Sequence, residues 1–320
     1  MQEGTFLPIP VAALLDNTIP EFSLYLSTPN CSGQYALYRK AGLPITKERL
    51  ARLKLNGVEH FYIEAVDLQR QHRYMIDTAK QLISDPGRSS AEKAAKIYAF
   101  SASAIQCALA EPSPESIRTC RELAHEHVRY IATDPHALLC LLQIVSHDYR
   151  TYTHSVNVCG FAVALCRRIG IDDMDELSVI GSGAMLHDIG KSRIDLAVLN
   201  KPGRLNPQER QEIEKHPELG IAVLAETQPL PSPAAEIVLG HHEKMDGSGY
   251  PRQLSAGQIA VPVRACSIAD IFDALTSRRS YQHGLGGFRA LQLMKQKMGT
   301  QLDREMLTEF IRLIGEASQA

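Results

Sequence analysis

Two adjacent histidines, His241 and His242, open the stretch HHEKMDGSGYP (241–251), and a second pair, His187-Asp188, opens HDIGK (187–191) upstream. Neutral imidazoles and ionised carboxylates are ligands for divalent cations of borderline or hard character. Three more residues of these types, His154, His216 and Asp270, stand in segments of their own. Successive segments are about 25 to 35 residues apart, roughly one helix and its loop. One ligand or ligand pair per unit lets a helix bundle converge its side chains on one interior point. Neighbouring residues on a helix point about 100° apart. His187 and Asp188 would therefore face different ions, or the carboxylate would bridge both. Mixed nitrogen and oxygen donors suit iron, manganese or zinc, and the lack of paired cysteines argues against a thiolate zinc site. Asp270 lies in the apolar run Ala265–Leu275, where a carboxylate is costly unless it is paired or holds a metal.

The elements that must position these residues are mostly helices. Val156–Arg168 is apolar on one face and stops before Gly170. Leu177–His187 is rich in small residues. Pro207-Gln208-Glu209-Arg210 opens a polar helix leading to His216-Pro217, Pro233–Glu243 carries the double histidine near its end, and Val261–Ser277 carries Asp270 and Asp273. Upstream, helices are expected over 68–83, 90–109 and 115–131, and from Asp134-Pro135 to about Ser146. The run from Arg121 to Arg129 reads as a solvated face, with His125 and His127 on the surface. A second His-Asp pair, His147-Asp148, lacks the Ile-Gly-Lys that follows the first and reads as structural.

The first 66 residues differ. Phe22–Leu26, Tyr35–Arg39 and Val58–Ile63 read as strands, and a helix capped by Thr46 runs to about Leu55. No catalytic cluster falls in this small α/β module.

Composition narrows the function classes. With 44% hydrophobic and 22% charged residues, the 320-residue chain has the balance of a globular protein with enough length for two domains. A formal net charge of −2 offers no basic field for a nucleic-acid polymer, although a small anion needs only a local patch. Seven cysteines without CxxC pairing read as reduced thiols of a cytoplasmic protein. No apolar run is long enough for a membrane span, and the N-terminus lacks the features of a targeting signal.

Taken in order, HDIGK (187–191), LNKPGRL (199–205), KHPELG (215–220), HHEKMDGSGYP (241–251) and ADIFDALTS (269–277) resemble the signature of the HD-GYP family over about residues 130–320. That family is a branch of the HD superfamily of bacterial phosphodiesterases acting on cyclic di-GMP. The resemblance implies a mainly α fold: an all-helical metal-binding bundle over 131–320, preceded by the α/β module (1–66) and connector helices (67–130). It implies one metal held by His154, His187, Asp188 and Asp270, and another held by His216, His241 and His242, with Asp188 bridging. A third metal goes with a Glu four residues before the first ligand; Arg150 stands there, so two ions are expected, iron first and manganese as the alternative. Lys191 and Arg279 would contact phosphate, and Tyr250 would contact substrate in a GYP loop that also engages partner proteins. Ser280 and Gln282 depart from the family pattern and weaken part of the expected ligand grip.

The expected activity is hydrolysis of cyclic di-GMP to pGpG, with GMP after it, catalysed through Asp188 and Lys191. The alternatives are a phosphodiesterase for a hybrid cyclic dinucleotide, 3′,3′-cGAMP, and a cyclic dinucleotide receptor with little turnover. The N-terminal module would regulate the enzyme or pair it as a homodimer.

Overall fold

The computed structural model describes residues 5–28, 34–144, 151–277 and 285–318. Its first part is a four-stranded antiparallel sheet in the order β1-β4-β2-β3, formed by β1 (Phe6–Pro10), β2 (Leu24–Ser27), β3 (Tyr35–Arg39) and β4 (His60–Glu64). Strand β1 was not anticipated, because Pro8 and Pro10 each lack an N–H for a ladder. It forms because it lies at the sheet edge, where one side needs no partner. It pairs with β4 in the register Leu7↔Ile63. Helix α1 (Lys47–Leu55) begins where the Thr46 hydroxyl accepts the Arg49 N–H. Ile9, Phe22, Leu24, Phe61 and Ile63 form the small core beneath the sheet.

The remainder is helical: α2 (Leu68–Ser84), α3 (Ser90–Ala110), α4 (Pro114–Thr133), α5 (Ala137–Ile144), α6 (Thr151–Arg168), α7 (Met174–Leu186), α8 (Leu196–Leu199), α9 (Pro207–Glu214), α10 (His216–Glu226), α11 (Ser232–Gly240), α12 (Val261–Thr276), α13 (Gly287–Lys297) and α14 (Arg304–Ala317). Several starts follow from local chemistry. Ser89 and Glu92 close a capping box on α3, and Asn206 and Glu209 do the same for α9 ahead of Pro207. Pro217 cannot continue the hydrogen-bond ladder of α9, so the chain restarts there as α10, a separate helix that the sequence reading, which ended its polar helix at His216-Pro217, did not anticipate. The continuation of α5 toward Ser146 lies outside the described residues.

One large core joins α2, α3 and α4 to α6, α7, α11, α12 and α14, so the helices read as a connector share their interior with those that carry the metal-ligand candidates. Tyr74 packs against both this core and the small one. Its hydroxyl accepts the Leu15 N–H at 2.9 Å, and the Lys96 ammonium on α3 donates to the carbonyls of Ala12 and Leu14. No helix among the described residues is long and apolar enough to cross a membrane.

The expectation of a solvated face over 121–129 is corrected. Helix α4 is wedged among α2, α3, α6 and α7, and Glu126 and His127 are buried to 1% and 0% exposure. Glu126 keeps a partner, accepting from Arg129 at 2.8 Å. His127 is an interior residue, not a surface one. Charged letters dominated the local pattern, but the burial of α4 is set by helices on four sides.

Candidate metal centre

Three of the histidines are oriented by the turn that precedes them. A helix ends with carbonyls that no intrahelical N–H can reach. The Nδ1 of His187 lies 2.7 Å from the Ala184 carbonyl at the end of α7, that of His216 lies 2.7 Å from the Ile213 carbonyl at the end of α9, and that of His241 lies 2.9 Å from the Val238 carbonyl at the end of α11. A carbonyl only accepts, so each Nδ1 carries the proton and donates. In the neutral ring each Nε2 is then a bare lone pair.

His154, in the first turn of α6, is held differently. Its Nδ1 donates to Asp273 Oδ2 at 2.7 Å, across to α12, and the Asn157 amide donates to the other oxygen of Asp273 at 2.7 Å. The Nε2 of His154 faces Asp270 Oδ1 at 3.0 Å. A carboxylate behind an imidazole fixes its tautomer and raises its basicity as a ligand.

The lone pairs and carboxylates meet in one buried place. Ligand atoms of His154, His187 and Asp188 lie within 4.8 Å of one another, and so do those of His216, His241 and His242. Asp188 spans the two groups. Its Oδ1 is 3.2 Å from His216 Nε2 and 4.0 Å from His241 Nε2, while its Oδ2 is 3.5 Å from His187 Nε2 and 3.9 Å from His154 Nε2. Asp270 likewise looks both ways, its Oδ2 standing 3.8 Å from His242 Nδ1. The Lys191 ammonium is 2.6 Å from Asp188 Oδ2, reached from a 3₁₀ turn over Ile189–Arg193 instead of a continued α7.

This donor set fits divalent cations. His216 Nε2 and His241 Nε2 stand 3.1 Å apart, two lone pairs facing each other with no proton to share once both Nδ1 atoms donate. His187 Nε2 is buried without a hydrogen-bond partner among the described residues. Such an arrangement is repulsive unless a cation lies between the donors.

The electrostatics agree. Burial pushes the His187 and His241 imidazoles down, His241 especially because His242, His187 and His216 crowd it. His242 is held at about 3, chiefly by burial. Burial alone would raise the Asp188 carboxyl, but Lys191, His187 and His216 outweigh it and hold it well below the usual carboxylate range. The same contest at Asp270 is won by His154. His187, His241 and His242 are thus held neutral and Asp188 and Asp270 ionised, the protonation states that metal ligation requires.

Two glycines allow the segments to approach this closely. A Cβ on Gly190 would lie 2.0 Å from the His216 carbonyl oxygen and 2.4 Å from the Gly220 nitrogen. One on Gly249 would meet the backbone of His242, Glu243 and Lys244 at 2.5–2.6 Å. The second contact lays the GYP loop over the double histidine, where Tyr250 stacks on His242 with ring centroids 4.7 Å apart. The Tyr250–Pro251 peptide is cis. Glu243, 3% exposed, fastens the loop by accepting the N–H groups of Arg252 and Leu254 at 2.7 and 2.9 Å.

All seven residues singled out as ligands, His154, His187, Asp188, His216, His241, His242 and Asp270, converge here, with Lys191 and Tyr250 at their side. Arg279 lies outside the described residues, as do Arg150, Ser280, Gln282 and the His147-Asp148 pair. The sequence reading gave no role to Asp273, Asn157 or Glu243. For Asp273 a signal existed: it is a second carboxylate in an apolar helix, three residues after Asp270 and hence on nearly the same face. Nothing local marks Glu243.

Comparison with known proteins agrees with this geometry. A family model described as HD domain matches residues 140–306. The chain is 33% identical over 194 residues to a cyclic di-GMP phosphodiesterase of Pseudomonas aeruginosa, covering 61% of this chain and 46% of that protein. It is 34% identical over 155 residues to a 3′3′-cGAMP-specific phosphodiesterase of Vibrio cholerae, covering 48% and 33%. It is also 33% identical over 167 residues to a cyclic di-GMP phosphodiesterase of Thermotoga maritima, covering 52% and 45%. The chain spans less than half the length of these relatives. The fold is similar to that of a solved HDG"Y"P protein from Bdellovibrio bacteriovorus, with a TM-score of 0.73 at 21% identity over 97% of this chain and 100% of that one.

Proposed function

This chain belongs to the HD domain family, and from that premise we propose that it is a phosphodiesterase whose helical body holds two divalent cations and hydrolyses a cyclic dinucleotide, cyclic di-GMP foremost. The observation that carries the reading is Asp188, whose two oxygens face two separate groups of histidines.

In this reading His154, His187, Asp188 and Asp270 hold one ion, and His216, His241 and His242 hold the other, with Asp188 shared. Iron is the leading identity and manganese the alternative, since nitrogen and oxygen donors without thiolate suit both. A bound pair would supply an acidified water as nucleophile and offset the charge of the phosphate oxygens.

The chain's own groups do the rest. Lys191 places a cation beside Asp188 at the edge of the site, 17% exposed, where a phosphate oxygen would meet it as a point charge. Tyr250 lies flat on His242 and presents its ring to a bound base. Attack on one phosphate in line with its 3′ oxygen opens the ring to a linear dinucleotide, pGpG, and a second cleavage would give GMP. The six described cysteines are free, which suits a reducing cytoplasm. We assign residues 1–66 a regulatory or dimerising role and the GYP loop a protein contact.

A second substrate is supported by similarity alone. A 3′3′-cGAMP-specific phosphodiesterase of Vibrio cholerae is 39% identical over 140 residues, so 3′,3′-cGAMP competes with cyclic di-GMP in this reading. The deciding experiment measures metal content of anaerobically purified protein alongside product analysis with both nucleotides. About two ions per chain and a linear product are expected. Equal turnover by the metal-stripped chain would overturn the reading.

A further inference from the structure

On the side of α7 away from its metal-ligand end lies a second polar cavity, about 330 Å³ in volume. That is near the lower end of the roughly 300–1,000 Å³ range of small-molecule sites. Helix α4 contributes Arg118, Arg121, Glu122 and His125, a stripe at helical spacing, and α7 contributes Ser178 and Ser182, one turn apart. Gln228 closes it from the loop between α10 and α11.

The hydrogen bonding of the walls is specific. Ser178 gives its proton to the Met174 carbonyl at 2.6 Å, and Ser182 gives its proton to the Ser178 carbonyl at 2.8 Å. The Ser178 hydroxyl is then left to accept, and His125 Nδ1 donates to it at 2.8 Å. The Gln228 carboxamide oxygen is buried and has no hydrogen-bond partner among the described residues. A buried acceptor without a donor is costly. At the other end Arg121 makes no ion pair or hydrogen bond with a described residue, and Arg118 stands loosely from Glu115 and Glu122, at 3.8 Å each. The cavity therefore presents two guanidinium groups, with the Glu115 and Glu122 carboxylates beside Arg118, and one acceptor, the Gln228 oxygen, that is unmet among the described residues.

We propose that this cavity binds a nucleoside monophosphate, with Arg118 and Arg121 on the phosphate and the Gln228 oxygen accepting N–H groups of the base. Guanidinium forks suit phosphate oxygens, and an unmet amide oxygen suits the amino and imino donors of a purine. The site touches the elements that carry the metal-ligand candidates. Helix α7 runs from Ser182 to His187-Asp188, and the loop bearing Gln228 joins the helix that starts at His216 to the one that ends before His241. A bound nucleotide would brace these elements against α4.

The inference stands on this cavity and not on the proposed catalytic reading. Its test uses the full chain carrying Asp188→Ala, so that the metal centre cannot account for binding. Calorimetric titration with GMP and AMP is expected to show saturable one-site binding of at least one of them. Guanosine and inorganic phosphate, each lacking half of the ligand, should bind at least about tenfold more weakly. Arg118→Ala with Arg121→Ala, both at the surface, should lower affinity about tenfold or more, and Gln228→Ala severalfold. Absence of GMP and AMP binding, or affinity unchanged in the double-arginine variant, would overturn the assignment.

Discussion

The helical body buries histidine at the metal centre and also, away from it, at His127 on α4, and the two regions differ in what happens to the ring nitrogens. At the metal centre, His154, His187, His216 and His241 each have Nδ1 engaged, by Asp273 in the first case and by a helix-end carbonyl in the other three. In those three a neutral ring leaves Nε2 as an inward-facing lone pair, and His154 turns its Nε2 toward Asp270 Oδ1 at 3.0 Å. In the interior of α4, His127 is as deeply buried, but neither of its ring nitrogens has a hydrogen-bond partner among the described residues. Burial alone pushes its pKa down to about 4. Depth in the core therefore does not make a histidine a ligand. A fixed tautomer and an opposing carboxylate do.

The most severe way to break this contrast is Asp188→Ala. It removes the carboxylate common to both groups and leaves His187, His216 and His241 without the anion that faces them. We expect loss of both metals and of cyclic dinucleotide hydrolysis, read by elemental analysis and product chromatography. Retention of two ions per chain would mean that Asp188 does not bridge.

Gly190→Ala should come next. The added Cβ would overlap the His216 carbonyl, and backbone on both sides leaves nothing flexible to yield. The segment bearing His216 must move, at a cost of several kcal/mol. A thermal unfolding scan with metal titration should show a lower midpoint and weakened binding, and a variant that matches the parent in both would contradict the close approach.

Asp273→Ala probes the remote support of His154 without touching a ligand candidate. A loss of about 10–100-fold in metal affinity is expected, as for other carboxylates behind metal-bound histidine. Asp273→Asn retains an acceptor for the His154 N–H and should recover part of that loss. If both variants bind metal like the parent, His154 is oriented by something else.

The smallest effect belongs to the other region. The His127 imidazole is neutral in the folded chain down to about pH 4, whereas in the unfolded chain it takes up a proton near 6.5. The folded pKa is depressed, so this contribution to stability is intact above pH 6.5 and is lost as pH falls toward 4. Between pH 7 and pH 5 the loss amounts to about 2 kcal/mol. His127→Leu removes it. The stability difference between variant and parent should therefore widen in the variant's favour by about that amount on going from pH 7 to pH 5, measured by denaturant unfolding. A difference that does not change with pH would show that His127 titrates freely.

Much of the centre was legible in the chain itself. The residue types, their spacing and the local stops and starts set by Ser89, Asn206 and Pro207 are properties of short segments, and three of the histidines are oriented by carbonyls only three residues away. Four features were not legible. Strand β1 is tolerated with two prolines only because it ends up at an edge. Helix α4 reads as charged, yet four neighbours bury it. Asp273 stands out as a carboxylate in an apolar helix, but its partner His154, 119 residues away, does not, and Glu243 acts on a loop whose path is fixed by packing. The cavity lined by Gln228, Arg118 and Arg121 likewise joins elements more than a hundred residues apart.

What the sequence by itself determined was which atoms are able to bind a cation and which turn presents each of them, because caps, helix ends and tautomers are settled over a few residues. The tertiary structure alone decided that one carboxylate stands between two sets of imidazoles, and that an equally buried imidazole does not join them. Those are distances between helices, and helices are placed by the whole core they share.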